Sequence, residues 1–189
     1  MKIILASNSP RRRELMAGLG VDFDVKVIPG IEETYPADMP INLIAQHLAM
    51  QKFLPYQIGL DDDTVVITAD TIVVVDDKVL GKPSDRTEAV EMLRLISGRT
   101  HQVITGVCIG RSFTQHAFSV STDVTFKELT EDEINYYVDN YKPFDKAGAY
   151  GIQEWIGYIG VTGINGSYFN VMGLPVQRIY DELVKLGIV

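Results

Sequence analysis

The chain has 189 residues, enough for one domain with a buried core of its own. Its 17 Lys and Arg against 25 Asp and Glu give a formal net charge of −8, which argues against a protein that coats nucleic acid or an anionic membrane surface through many basic contacts. The single cysteine, Cys108, excludes an internal disulfide framework and a cysteine-based zinc site. The apolar run near the N-terminus is too short for a signal-peptide core, so we expect a cytoplasmic protein without a membrane-spanning segment.

The first half of the chain alternates short apolar strand patterns with helix patterns. Asp76 and Asp77 follow a long β-branched run and predict a hairpin turn. The elements expected here are strands at 2–6, 23–28, 65–75 and 78–80, and helices at 10–18 and 40–53.

The second half carries two capping signals, Asp85 with Glu88 and Thr130 with Glu133, each of which predicts the start of a helix. The glycines spaced by three between 157 and 166 favour a twisted strand with turns. The elements expected here are helices from 85 to about 97, from 130 to about 140 and from 175 to about 185, strands at 101–111 and 119–126, and strands with turns from 145 to 175. The interleaving predicts an α/β fold, a mixed twisted sheet with flanking helices, in a single domain over 1–189.

A candidate anion site lies in Ser7-Asn8-Ser9-Pro10-Arg11-Arg12, between the first strand and the first helix. Ser9 suits the helix N-cap and Pro10 the first helical position. The free N–H groups of a helix start, with Ser7 and the Arg11 and Arg12 guanidiniums, would bind a phosphate. The alternative is a solvated basic turn.

Two further residues are unusual for their surroundings. Lys52 continues an apolar helical stripe, so its ammonium either extends outward to solvent or enters a cleft to meet a phosphate. Asp70 interrupts a β-branched run, where a half-buried carboxylate needs cations or a metal to compensate it, although a structural carboxylate is the alternative. Lys82 follows in Leu80-Gly81-Lys82-Pro83, which is not a Walker A loop.

Weaker signals come from two other segments. Glu32 and Glu33 are either a solvated pair or, with Asp70, part of an oxygen-rich magnesium or manganese site. The small residues of 145–153, with one Tyr and Gln153, suggest close backbone approach to a strand or to a flat ligand. The three histidines lack the spacing of zinc ligands, and Cys108 lies in an apolar strand, where a core residue is expected rather than a nucleophile.

Six segments occur in the order typical of one family. They are 5–15, Ala69-Asp70-Thr71, 80–83, 97–101, 145–153 and 166–175. The chain thereby resembles the Maf family of septum-formation-related nucleotide pyrophosphatases over nearly its whole length. The resemblance implies an elongated, two-lobed fold with a central cleft, similar to the inosine-triphosphatase type. It also implies hydrolysis of a nucleoside triphosphate between the α and β phosphates, with a divalent cation, Mg or Mn.

The resemblance further implies roles for individual residues. Asp70 would be the proton acceptor that activates water, and Glu33 would assist it or help to hold the metal. Triphosphate binding would fall to the basic residues and hydroxyls of these motifs, which are Ser7, Arg11, Arg12, Lys52 and Lys82. A semi-buried carboxylate flanked by fixed cations agrees with that chemistry on physical grounds.

Thr71, Gln153 and the Arg11-Arg12 pair resemble the dTTP/UTP subgroup, in which modified pyrimidine nucleotides are further candidate substrates. A neutral Gln amide offers a donor and an acceptor that match O4 and N3–H of uracil or thymine. The chain departs from the family pattern at Glu154-Trp155, where glycine is common.

Two alternatives remain open on sequence grounds. One is a pyrophosphatase for 7-methyl-GTP or another modified purine, and the other is a non-catalytic regulator of division or septation. The expected partner is a nucleoside triphosphate, with no nucleic acid and no membrane. A homodimer is the default oligomeric state.

Overall fold

The computed structural model describes residues 1–189 and contains seven strands, seven α-helices and two short 3-10 helices, Leu54–Tyr56 and Ala147–Ala149. The strands are β1 (Lys2–Leu5), β2 (Asp24–Val25), β3 (Thr64–Val75), β4 (Lys78–Leu80), β5 (Thr100–Gly110), β6 (Gln115–Phe126) and β7 (Val161–Asn165). The helices are α1 (Pro10–Ala17), α2 (Ile41–Phe53), α3 (Arg86–Ile96), α4 (Glu131–Tyr141), α5 (Trp155–Gly160), α6 (Tyr168–Met172) and α7 (Val176–Lys185). None of these helices has the length and apolar character needed to cross a bilayer.

The strands form one sheet in the order β2-β1-β3-β5-β6-β7, with β4 paired to β3. β1 runs parallel to both β2 and β3. The β3–β4 and β6–β7 pairs are antiparallel. The sheet is therefore mixed, which confirms the predicted fold class.

The chain divides into two compact units. The first comprises residues 1–70, 105–120 and 173–189, and the second comprises 71–104 and 121–172. β3, β5 and β6 each contribute residues to both. The single domain expected over 1–189 remains a prediction.

The first unit has an apolar core between α2 and the sheet. Phe53 of α2 packs there with Ile4, Val66 and Cys108, all of them buried. Burial raises the pKa of the Cys108 thiol to about 12, so the residue is an inert core side chain, as expected.

Helix α2 lies directly against the backbone of the sheet. A Cβ built on Gly106 of β5 would lie 2.2 Å from the backbone carbonyl of Ala45, so only glycine fits there. The Thr68 hydroxyl of β3 donates a 2.6 Å hydrogen bond to the Ala49 carbonyl of α2. Together these contacts fix the last turn of α2, which carries Lys52, relative to β3, which carries Asp70.

The second unit has its own core, built by α3, α4 and α5 with the residues of the sheet that belong to this unit. Trp155 packs at its edge, with its ring 4.7 Å from that of Tyr136 in a T-shaped arrangement. Fully buried members include Ala89, Leu93, Ile96, Val124, Tyr137, Ala149 and Ile156.

Local turn and capping predictions are confirmed. Asp76 and Asp77 have φ of 47° and 61°, the left-handed pair of a two-residue hairpin turn. Thr130 and Glu133 make both hydrogen bonds of a capping box at α4. Asp85 caps α3 by accepting from the Glu88 N–H, whereas the Glu88 carboxylate accepts instead from Ser84.

Two predicted strand regions are wrong. Of the strand expected at 23–28, only Asp24–Val25 forms, paired with the end of β1. The region 145–175 contains helices α5 and α6 in addition to β7. Gly157 is needed inside α5 because a Cβ there would lie 1.8 Å from the Ile152 carbonyl oxygen. Gly157 and Gly160 therefore lie in a helix, contrary to the prediction, whereas Gly163 lies in β7 as the glycine pattern predicted.

Candidate active site

The loop before α1 is arranged as a helix N-terminus. Ser9 is the N-cap, and its hydroxyl accepts a hydrogen bond from the Arg12 N–H. The buried Ser7 hydroxyl accepts from the Ser9 N–H at 3.2 Å, which leaves its own O–H to donate. The first turn of α1 carries no acidic side chain, so an anion there would be favoured by the helix dipole.

Arg12 turns inward and holds two backbone carbonyls. Its Nε donates to the Gly173 carbonyl at 2.7 Å, and a terminal nitrogen donates to the Ala69 carbonyl at 2.8 Å. Burial lowers the pKa of Arg12 from its ordinary value, and the negative charges of Asp70 and Glu33 act in the opposite direction. Arg12 therefore fixes the residue that immediately precedes Asp70 and places a cation near that carboxylate.

Lys52, Asp70 and Glu33 meet around one ammonium. Lys52 Nζ lies 2.5 Å from Asp70 Oδ1 and 3.2 Å from Glu33 Oε1. The side chains of Lys52 and Asp70 are 18% and 13% exposed, whereas that of Glu33 is 48% exposed. Lys52 thus points to a carboxylate rather than out to solvent, and Asp70 is a mostly buried carboxylate compensated by the Lys52 ammonium.

The same carboxylates fit part of a divalent cation site. Asp70 and Glu33 supply hard oxygen donors that share one positive charge, Lys52, in this structure. No group of three or more His, Cys, Asp and Glu residues is arranged to hold a metal. Because Mg²⁺ commonly takes one or two protein carboxylates and completes its shell with water and substrate phosphates, the pair fits such an ion but not a metal held by protein ligands alone.

The remaining predicted residues belong to the second unit. Thr71 follows Asp70 in β3 and is half-buried. Lys82 is exposed just beyond β4, where the neighbouring Gly81 carbonyl accepts from the Gly148 N–H at 3.0 Å. Gln153 lies between the second 3-10 helix and α5, and its Oε1 is buried without a hydrogen-bond partner.

The segment that carries Gln153 is anchored on one side by a buried aromatic pair. The Tyr150 hydroxyl lies 2.6 Å from His101 Nε2, and their rings are perpendicular. Burial lowers the pKa of His101 to about 4 and raises that of Tyr150. Neutral His101 and protonated Tyr150 therefore form a fixed pair ahead of the Gln153 loop.

A second anchor, which the sequence did not reveal, comes from α4. The Tyr137 hydroxyl accepts from the Gly151 N–H at 3.0 Å and donates to Glu154. Glu154 also lies 3.1 Å from Lys146 Nζ. Tyr137 of α4 is separated along the chain from Lys146 and Glu154, so no local sequence pattern indicates their contacts.

Comparisons with known proteins identify the family of this chain. The family model described as Maf-like protein matches residues 2–186. A dTTP/UTP pyrophosphatase of Phocaeicola vulgatus is 58% identical over 185 residues, 98% of this chain and 96% of that protein. A dTTP/UTP pyrophosphatase of Porphyromonas gingivalis is 52% identical over 188 residues, 98% of this chain and 94% of that protein. A solved HAM1 protein structure from Coxiella burnetii gives a TM-score of 0.48 at 17% identity, covering 98% of this chain and 99% of that chain.

In this mixed α/β fold the Asp70 carboxylate lies beside Lys52 and near Arg12, an arrangement typical of sites that bind polyanions. The family match over nearly the whole chain and two relatives above 50% identity make the assignment more specific. The chain belongs to the Maf-like protein family.

Proposed function

We propose that this protein is a nucleoside triphosphate pyrophosphatase that hydrolyses dTTP, UTP and related modified pyrimidine nucleotides to the monophosphate and pyrophosphate. The single observation that carries the proposal is the meeting of Lys52 with Asp70, which places a half-buried carboxylate and a fixed cation together beside Arg12. The relatives named dTTP/UTP pyrophosphatase support the choice of pyrimidine substrates.

Asp70 acts in the mechanism as the proton acceptor. Its carboxylate takes a proton from the attacking water, whose oxygen forms the new bond to phosphorus while the bond to the bridging oxygen of the α–β anhydride breaks. The electron pair of that bond leaves with pyrophosphate. Cations at the N-terminal loop and on Lys52 stabilise the negative charge that develops on the leaving group.

Several residues bind the triphosphate in this proposal. Ser7 donates its free hydroxyl hydrogen, Arg11 adds a guanidinium at the start of α1, and Lys82 is assigned a further ammonium by its motif. Arg12 contributes charge while two of its donors hold the Ala69 and Gly173 carbonyls. To contact a substrate phosphate, Lys52 must give up part of its contact with Asp70 and Glu33.

Glu33 and Asp70 are the residues that would hold a divalent cation, Mg or Mn, together with substrate phosphates. When bound, such an ion neutralises phosphate charge and polarises the anhydride. Gln153 is assigned to the base, and Thr71 to support of the substrate beside Asp70. We place the enzyme in the cytoplasm as a homodimer, the commonest symmetric state.

A substrate panel tests the proposal. Purified protein would be assayed with dTTP, UTP, CTP, ATP, GTP and 7-methyl-GTP, each with Mg²⁺ and with Mn²⁺, and the products separated by ion-exchange chromatography. We expect dTMP or UMP with pyrophosphate, in equimolar amounts, as the fastest reactions. Preference for 7-methyl-GTP would contradict the choice of base, and release of orthophosphate would contradict the bond cleaved. Co-purification of a partner with no hydrolysis under either metal would favour a non-catalytic regulator.

A further inference from the structure

The Gly151–Gln153 loop has no regular secondary structure and is held by side chains. The Gly151 N–H donates to the Tyr137 hydroxyl, and that hydroxyl donates in turn to the Glu154 carboxylate. The Glu154 N–H donates back to the Gly151 carbonyl at 2.9 Å. Glu154 thus closes a ring of hydrogen bonds around the loop, with Tyr137 as the fixed point on α4.

The ring is shielded from solvent. Tyr137 is fully buried, and the side chains of Lys146 and Glu154 are only 9% and 21% exposed. Burial raises the pKa of Tyr137, and its hydrogen bond to Glu154 raises it further, so the hydroxyl stays protonated and remains a donor. Hydrogen bonds in such a setting are stronger than those on the surface, and they hold one arrangement of the loop.

The Gln153 amide lies close to Gly151, next to Lys146 and Glu154. A Cβ built on Gly151 would lie 3.0 Å from Glu154 Cδ, 3.1 Å from Lys146 Cε and 3.2 Å from Gln153 Nε2. The Gln153 nitrogen therefore sits near the Glu154–Lys146 pair, while its Oε1 is buried with no partner. A buried acceptor without a partner is costly unless a ligand N–H completes it.

From this geometry we propose that Glu154 is a specificity-determining positioning residue, which acts through Tyr137 and Lys146 to keep Gln153 Oε1 available to a base that carries a ring N–H. The proposal rests on the proposed function and deepens it. Uracil and thymine offer N3–H to an acceptor, whereas cytosine N3 is itself an acceptor and needs a donor. An amide free to rotate by half a turn would accept both bases, so holding it fixed gives the discrimination.

The test is the ratio of kcat/KM for UTP to kcat/KM for CTP. Glu154→Ala is expected to lower this ratio about tenfold, the effect of one hydrogen bond of about 1.4 kcal/mol, through a higher KM for UTP with kcat little changed. Tyr137→Phe, which keeps the buried ring and removes the hydroxyl, is expected to lower the ratio similarly. Glu154→Gln keeps an acceptor for Tyr137 and is expected to restore the ratio to within about threefold of wild type.

Glu131→Gln is the matched control, because it neutralises an exposed carboxylate of the same unit that pairs with Arg94 far along the chain from Gln153. Its ratio should equal that of wild type. Should Glu154→Ala fail to fold, as judged by its thermal unfolding, Tyr137→Phe and Glu154→Gln carry the test.

The outcomes separate the two proposals. A wild-type enzyme that prefers UTP, with the same ratio in Glu154→Ala and Tyr137→Phe, overturns the positioning role and leaves the function in place. Equal losses for UTP and CTP in both variants also overturn it, since they indicate a structural role alone. A wild-type protein that hydrolyses neither nucleotide overturns the proposed function and this inference with it.

Discussion

Lys52 Nζ lies 2.5 Å from Asp70 Oδ1, although the two residues are 18 positions apart along the chain. The two residues meet because α2, which carries Lys52, packs directly on the sheet at Gly106 and Thr68. Thr68 belongs to β3, the strand that carries Asp70. The consequence is a carboxylate that is held in an ion pair and is still 13% exposed. This pair is the basis of the first prediction.

Asp70→Asn should abolish nearly all turnover while leaving the fold intact. The amide keeps an oxygen that can accept from Lys52, but it cannot take a proton from water, so kcat should fall by about 100-fold or more. Steady-state kinetics with UTP, together with thermal unfolding, would measure both effects. Asp77→Asn is the control, because Asn tolerates the left-handed φ of 61° found there. Substantial activity in Asp70→Asn would refute the assigned role.

Glu33→Gln should raise the concentration of Mg²⁺ or Mn²⁺ needed for half-maximal activity. The substitution removes one of two carboxylates that share the Lys52 ammonium and halves the charge available to a divalent ion. We expect about a tenfold increase, with the maximal rate less affected. Glu32→Gln changes the neighbouring exposed carboxylate and should leave the metal titration unchanged. Identical titrations of the two variants would argue against Glu33 as a ligand.

Arg12→Met should reduce stability as well as activity. Two hydrogen bonds from a charged donor to the Ala69 and Gly173 carbonyls are lost, at a cost of about 2–3 kcal/mol. For a chain of this length the midpoint of thermal unfolding should fall by roughly 5–10 °C. Arg13→Met serves as the comparison, since Arg13 is exposed and its loss should cost under about 0.5 kcal/mol. Equal midpoints for both variants would show that Arg12 does not brace the backbone.

His101 should make the protein less stable as the pH falls from about 6.5 towards 4. Its pKa is lowered by burial to about 4 in the folded state, so between these values the unfolded chain binds more protons. The unfolding free energy should therefore decrease over that range, by up to about 3 kcal/mol. Chemical denaturation of wild type and His101→Gln, compared at pH 7 and pH 5, isolates the contribution. A wild-type loss no larger than that of the variant would count against it.

Local sequence signals predicted the local structure well. The Thr130–Glu133 capping box and the Asp76–Asp77 turn depend on residues close together in the chain, so their patterns are sufficient. The strand expected at 23–28 shortened to Asp24–Val25 because only those residues pair with β1. Alternation of apolar residues describes a half-buried face, but it does not specify the length over which a partner strand is present.

The candidate site, unlike the turns and helix caps, depends on contacts between residues that are far apart in the chain. Asp70 and Lys52 interrupt apolar patterns, which marks them in the sequence as candidate site residues. Their mutual contact is a result of tertiary packing. The bonds from Arg12 end on backbone carbonyls, which carry no sequence signal at all. The link from Tyr137 to Glu154 was likewise invisible, since a tyrosine on an apolar helical face indicates only burial.

The absent side chain at Gly106 restricts how the site can respond to substrate. A Cβ on Gly106 would lie 2.2 Å from the Ala45 carbonyl, so α2 packs directly on the backbone of β5. No side chain at this contact would allow the helix to slide over the strand. The ammonium of Lys52 can then move only by rotation about its own side-chain bonds. In the proposed mechanism, substrate binding therefore requires a change of the Lys52 rotamer rather than a shift of α2, and the Asp70 carboxylate stays in place while its partner moves.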